Sequence, residues 1–516
     1  MKHRLKWDEK IGLVFFIISL GMIAVSLYLT MSSDIWYDEL FTMGFTESSL
    51  KDMISLTARD VHPPLYYMIV SIFVKGAGKD LAARVMLAKT ASVLPFLLCL
   101  FLALWKIRSN FGFLAAGLFS FLLLSMPQMA AYTVEIRMYG YALFFIVAGM
   151  LCAYELAERE DKGKSSWIWL TICALAACYT HYFACVAACM IYVYLMARFS
   201  MQRRMKREAK PFLVSGIICA VCYLPWLLLV VTAQVGKVKE NYWIQPVSLR
   251  TLGGCIKFIF KPSFGNEVLN TVLAVLFFVI FAGLFLVMLI SWRRKEGEEK
   301  KKSAFAAGCI LVLGGIVLFG FLASVIIKPV FVYRYMMPAM GVFWLAFAIM
   351  AAAQKNKKYI LIPLLLLITV IGLRNFRAFY GEEMWKRVQM KQTLAAMEQI
   401  EGEDIIIFNF DQTQAVVSYY LANDTYLWYG EPEELIQEMY PNNKALVEGE
   451  FSDEAGMEKI KAFLAKGKKV WFFGSGNARD EILEKWKEEG IVSGEISGVM
   501  LERYWFNIYQ ITMQED

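Results

Sequence analysis

The sequence predicts a polytopic α-helical membrane protein of about 11 transmembrane helices, with a large first outer loop carrying interfacial helices and a small C-terminal α/β domain. Three observations predict it. First, 58% of the 516 residues are hydrophobic and only 19% are charged, whereas soluble domains carry about 25% charged residues. The apolar residues gather in runs near the roughly 20 residues that carry a helix across a bilayer. Second, basic residues recur in short segments after alternate runs. Third, the composition turns mixed-charge and soluble after Tyr380.

Apolar runs fall near residues 11–30, 85–105, 112–131, 138–157, 166–180, 182–198, 211–232, 267–291, 303–327, 334–353 and 358–375. The first is longer than the apolar stretch of a secretory leader, and no small-x-small cleavage site follows it, so a retained span is expected. The opening "MKHRLK", Lys106 with Arg108, Lys162 with Lys164, "RFSMQRRMKREAK", "RRKEGEEKKK" and "QKNKK" all fall on one side if the spans alternate. That side is cytoplasmic by the positive-inside bias. A cell-membrane protein results, with a cytoplasmic N-terminus and an extracytoplasmic C-terminal domain. The stretch Pro63 to Gly76 is too short to cross and suits an amphipathic helix at the interface. Four outer loops follow, near 31–84, 132–137, 233–266 and just before the span at 334.

After Tyr380, "DIIIFNF", "ALVEG" and "KKVWFFGSG" have the β-rich apolar pattern of strands, and "EELIQEMY", "GMEKIKAFLAKG" and "NARDEILEKWKEEG" have helical periodicity. Alternation predicts a largely parallel sheet. Two domains are expected, a membrane module at 1–376 and the α/β domain at 377–516. "GSGN" between strand and helix suits a turn and is not a GxGxxG. Of the ten cysteines, nine lie in apolar runs and Cys255 lies in a loop. Their spacing fits buried small hydrophobes, not a zinc site or a disulfide framework. The net charge of +7 sits in short loops between spans, which excludes a nucleic-acid footprint.

Asp38 and Glu39 follow the first span directly. On the outer face either carboxylate can take a proton from a hydroxyl; as a plain acidic pair they are solvated loop charges. Other ionisable residues share that level: Asp60 and His62 before Pro63-Pro64, Arg84 and Lys89 at the start of the second span, Glu135 and Arg137 in the second outer loop, and Arg334 before the tenth span. Charges at such depth usually face a protein interior or cavity. Arginine grips phosphate through its planar fork, so the layout suits an anionic, lipid-borne substrate. Arg84 and Lys89 are equally suited to anchoring a helix end. Pro63-Pro64 suits a helix start, with Asp60 and His62 as its cap, or His62 as a substrate contact. Tyr66 and Tyr67 suit the interfacial aromatic belt. The other histidines, His3 and His181, belong to different places. No cofactor is firmly implied, and an Asp/Glu site for magnesium or manganese is left open.

"WYDE", "DVHPPLYY", "EIRMYGYALF" and "RYMMP", in that order, resemble the C-type glycosyltransferase superfamily. The nearest branch is the bacterial relatives of the dolichyl-phosphate-mannose protein mannosyltransferases, which include the lipid A aminoarabinose transferases. The resemblance covers roughly residues 11 to 375. It implies transfer of a sugar, with inversion, from a polyprenyl-phosphate monosaccharide in the membrane lipid to a glycan, lipid or protein hydroxyl. It implies Asp38 as the catalytic base with Glu39 beside it. Glu135 and Arg137 would stand near the donor, and Arg334 would contact phosphate. The aminoarabinose branch has Lys where this chain has His62, which leaves the sugar open. Transporters and flippases share many spans and buried charges, but their sites lie near the midplane between repeats. A membrane-anchored sensor and a ligase using a diphosphate-linked donor are further readings.

Overall fold

A computed structural model of the chain describes residues 5–159, 163–234, 244–446, 453–501 and 503–514. His3, Lys162, the first part of the 233–266 loop and most of "ALVEG" fall outside the described residues. Two compact units form. One comprises Met1–Thr30, Thr57–Val70 and Lys89–Tyr380; the other comprises Met31–Leu56, Ser71–Ala88 and Gly381–Asp516.

All eleven apolar runs are helical, from α1 (Trp7–Leu29) to Lys358–Met397. Among the described residues, nine helices are long and apolar enough to cross a membrane, so the protein is multi-pass. The remaining two expected spans form the shorter helices Phe113–Ser125 and Gly163–Cys178. Small residues let α1 approach Phe113–Ser125: a Cβ on Gly117 would stand 2.0 Å from the Gly12 carbonyl oxygen, the close backbone contact that packs helices in lipid. The helix Met337–Ala352 is apolar on all sides and buried along nearly its whole length, as a helix at the centre of a bundle must be. All ten cysteines are free thiols, and Cys255 is buried in a helix, Leu249–Phe260, within the stretch expected as a long loop.

The stretch expected as the first outer loop is helical. It holds α2 (Tyr37–Glu47), α3 (Leu50–Arg59) and α4 (Leu65–Val74). The Pro64 carbonyl accepts from Met68 N–H at 3.0 Å, so the double proline opens α4, as expected of residues with no N–H to lose. Tyr66 and Tyr67 differ from expectation: both are fully buried. They pack edge to face with centroids 5.4 Å apart, and Tyr66 also meets Tyr141. They are core residues, not belt residues.

The C-terminal part is a six-stranded sheet in the order β3-β2-β1-β4-β6-β5. Its strands are β1 (Ile405–Phe408), β2 (Thr425–Leu427), β3 (Asn443–Ala445), β4 (Val470–Gly474), β5 (Ile491–Leu501) and β6 (Tyr504–Met513). β3, β2, β1 and β4 run parallel, as expected. β5 and β6 add an antiparallel hairpin that the helix-strand alternation did not announce, so the sheet is mixed. Its core joins Ile405, Ile407, Phe472, Trp428, Trp486 and Ile511.

Candidate functional site

In the first unit, ionisable residues from four segments converge. The segment before α4 carries His62, and the short turn between the helices Gly163–Cys178 and Tyr182–Met201 carries His181. A main-chain hydrogen bond, Leu65 N–H to the Tyr179 carbonyl at 3.1 Å, ties these two segments together. The imidazoles of His62 and His181 stack, with centroids 5.1 Å apart and planes 29° apart. Tyr139 lies 5.4 Å and Tyr335 5.2 Å from His181, centroid to centroid. Arg137 precedes the helix Tyr139–Glu158, and Arg334 lies in the turn Tyr333–Met336 that leads into the helix Met337–Ala352.

Both histidines are buried, at 4% and 1% exposure. Burial first, and then the charge of Arg137, hold His62 well below the usual histidine range; His181 and Arg334 add to the effect. The same causes, burial, then Arg137, then Arg334, hold His181 down at about 3. Both imidazoles are therefore neutral at pH 7, first because burial penalises the charged form and then because the arginines add positive charge. His62 Nδ1, His181 Nε2 and the Tyr139 hydroxyl are buried without a hydrogen-bond partner among the described residues. Buried polar atoms are normally satisfied, so this is a place where the protein lacks acceptors.

The expectation that His181 lies elsewhere is thus corrected: it stacks on His62. No local spacing signals the pair, because one residue precedes a double proline and the other caps a distant helix. Lys89 is buried at 3% exposure within the helix Leu81–Leu102, and Arg137 is buried at 6%. Glu135 precedes Arg137, and its carbonyl accepts from Arg137 N–H at 2.8 Å. Asp60 is half-buried. Among the described residues, no three His, Cys, Asp or Glu side chains gather as a metal-binding group.

In the second unit, the two adjacent carboxylates part ways. Glu39 is buried at 3%, and its Oε2 accepts from the Trp36 N–H at 3.1 Å. It serves the N-terminus of α2, the reciprocal half of a capping box. Asp38, one residue earlier, is half-buried in the same first turn. Arg84 Nη1 reaches Glu47 Oε1 at 2.8 Å, so its charge meets an acid that the sequence pattern had not singled out.

The stretch around Asp38 is held by side chains of the C-terminal domain. The Tyr420 hydroxyl donates to Ser33 O at 2.7 Å and accepts from Ile35 N–H at 3.1 Å. The Tyr504 hydroxyl accepts from Tyr37 N–H at 3.3 Å and donates to Gln412 Oε1 at 3.2 Å. The Tyr440 hydroxyl donates to Leu40 O at 3.0 Å, and the Tyr37 hydroxyl donates to Glu433 Oε2 at 2.9 Å. Arg503 stacks its guanidinium over Trp36 at 3.8 Å. A Cβ on Gly44 would stand 2.4 Å from Met439 Sδ. None of these partners has a motif; the tyrosines read as ordinary core residues.

No family model and no curated protein matches the sequence. Solved structures do. ArnT from Cupriavidus metallidurans in the apo state matches 96% of this chain and 97% of its own, at 11% identity and a TM-score of 0.59. The same protein bound to undecaprenyl phosphate matches 97% of both chains, at 13% identity and a TM-score of 0.57. The chain therefore has the fold of ArnT from end to end.

Proposed function

We propose that the chain is a membrane glycosyltransferase that moves a sugar from a polyprenyl-phosphate donor to an acceptor hydroxyl on the extracytoplasmic face, with inversion. The observation that carries this reading is the convergence of Arg137 and Arg334 on the buried His62–His181 pair, where His181 Nε2 and the Tyr139 hydroxyl have no hydrogen-bond partner among the described residues. Two guanidiniums suit a phosphate. The ArnT-like fold supports the reading, since one of the matched structures holds undecaprenyl phosphate.

Under this reading Asp38 takes the proton of the acceptor hydroxyl. The oxygen forms a bond to the anomeric carbon, and the bond from that carbon to the phosphate oxygen breaks. The electron pair leaves with the polyprenyl phosphate. Arg137 and Arg334 stabilise the charge that grows on the leaving phosphate, with Lys89 and Glu135 as further groups near the donor. Glu39 holds the helix that carries Asp38. Arg84, paired with Glu47, is left out of the phosphate grip. Residues 1–376 form the transferase module, and 377–516 form a domain on the same outer face. The test is purified protein in detergent with polyprenyl-phosphate sugars, measuring released lipid phosphate. Release that needs an acceptor and is lost in Asp38→Asn supports the reading. Movement of lipid-linked sugar between leaflets without release favours a flippase instead.

A further inference from the structure

The His181 ring carries a constraint that decides what it can bind. His181 is the N-cap of the helix Tyr182–Met201, and its Nδ1 accepts the Phe183 N–H at 3.1 Å. A nitrogen that accepts cannot also carry the proton. In the neutral ring the proton is therefore on Nε2. Nε2 is the atom left buried without a hydrogen-bond partner among the described residues. The orphan is a donor. What it lacks is an acceptor oxygen.

Tyr139 adds a hydroxyl in the same condition, from a ring 5.4 Å away. Arg137 and Arg334 act on both histidines, and Arg334, Arg137 and Glu135 act on Tyr139; two guanidiniums against one carboxylate decide the charge of the missing partner. A cation is repelled, and an anionic oxygen is attracted. A neutral imidazole suits such a site, because it donates without adding a third positive charge to buried surroundings.

We propose that His181 donates its Nε2–H to an oxygen of the lipid phosphate, with the Tyr139 hydroxyl as a second donor to the same group. This rests on the polyprenyl-phosphate reading above. The stacked His62 ring holds the His181 ring in plane. The turn between the helices Gly163–Cys178 and Tyr182–Met201, which carries none of the recognisable motifs, thereby becomes part of the donor site.

Two substitutions separate the two nitrogens. In His181→Asn the side-chain oxygen takes the place of Nδ1 and keeps the cap, but nothing reaches the place of Nε2. In His181→Gln the amide nitrogen takes the place of Nε2 and the cap acceptor is lost. The experiment uses the purified full-length chain in detergent, titrated with undecaprenyl phosphate and separately with undecaprenol, together with thermal unfolding. A hydrogen bond to a charged group of this kind predicts that His181→Asn binds undecaprenyl phosphate about 10- to 100-fold more weakly. Its undecaprenol binding and unfolding midpoint should stay at the unmodified level. His181→Gln should recover most of the phosphate affinity while unfolding at a lower temperature. Tyr139→Phe, which keeps the ring, should also weaken phosphate binding, and it serves as the deciding variant if His181→Asn does not fold. Undiminished phosphate affinity in His181→Asn, or in Tyr139→Phe where that variant decides, overturns the proposal alone. If the unmodified chain does not prefer undecaprenyl phosphate to undecaprenol, the lipid-phosphate reading falls too.

Discussion

Asp38 and Glu39 are neighbours in sequence with opposite expected fates, and replacing each by its amide tests this. Asp38→Asn keeps size and polarity but cannot take a proton at neutral pH. General-base catalysis contributes about 10²- to 10⁴-fold, so release of lipid phosphate should fall by that order while donor binding and the unfolding midpoint hold. Glu39 is different, because its Oε2 accepts the Trp36 N–H at 3.1 Å in a site only 3% exposed. Gln keeps an oxygen for that bond, so Glu39→Gln should cost less than about 1 kcal/mol of stability and little turnover. Glu39→Ala leaves the N–H without its partner, at a cost of about 1–3 kcal/mol. Turnover should then fall only as far as the folded fraction falls. The assay is released lipid phosphate from a polyprenyl-phosphate sugar, run beside donor titration and thermal unfolding. The reasoning is falsified if Asp38→Asn turns over at a near-normal rate, or if Glu39→Gln loses as much rate as Asp38→Asn while staying folded.

Three further outcomes are expected. Arg334→Ala should weaken donor binding and turnover by about 10- to 100-fold with the fold intact; normal affinity and rate remove Arg334 from the phosphate grip. Tyr420→Phe takes away both the donor to Ser33 O and the acceptor for the buried Ile35 N–H. It should cost about 1–3 kcal/mol in denaturant unfolding and lower kcat more than the donor KM, and an unchanged kcat argues against a role in holding the Asp38 stretch. Stability should also depend on pH with a definite sign: unfolding lets His62 and His181 take up protons that the folded protein refuses. Stability from His181 is full above its ordinary value of 6.5 and is lost as pH falls towards about 3, at about 1.4 kcal/mol per pH unit for each such histidine. Unfolding midpoints between pH 6.5 and 5 should therefore drop, and drop less steeply in His181→Asn. A flat profile in the unmodified protein refutes the buried neutral pair.

Much of the architecture was legible because a bilayer leaves the backbone few choices. Runs of apolar residues near 20 long must be helical in lipid, and all eleven are. The double proline likewise marked the start of α4, since a residue without an N–H costs nothing there. The hairpin β5–β6 was harder to see, because a helix-strand alternation masks a pair of consecutive strands. Tyr66 and Tyr67 were misplaced for a related reason: an aromatic near a membrane surface has the same composition whether it faces lipid or packs inward. The residues given proposed roles divide along the same line. Asp38, Arg137 and Arg334 stand in short motifs and could be singled out. His181 stands in none, and its part depends on a stack with a residue far away in the chain and on a cap bond that fixes its tautomer. Glu39 shows the converse, a residue inside a motif whose side chain serves the helix start.

The division of labour in the second unit bears on why the C-terminal domain exists. Three tyrosine hydroxyls of the C-terminal domain, from Tyr420, Tyr504 and Tyr440, grip main-chain atoms at Ser33, Ile35, Tyr37 and Leu40. These points lie on both sides of Asp38. A grip on the main chain is indifferent to the side chains of the gripped segment, so it fixes the course of the loop while leaving the Asp38 side chain to the role proposed for it. Tyrosine is well suited to such a grip, because its ring packs into a core and its hydroxyl reaches one polar partner at low entropic cost. Buried backbone groups such as the Ile35 N–H would stand unpaired without such partners, at a cost of about 1–3 kcal/mol each. The domain therefore has a physical reason to be on this chain even where its own sheet carries no recognisable site.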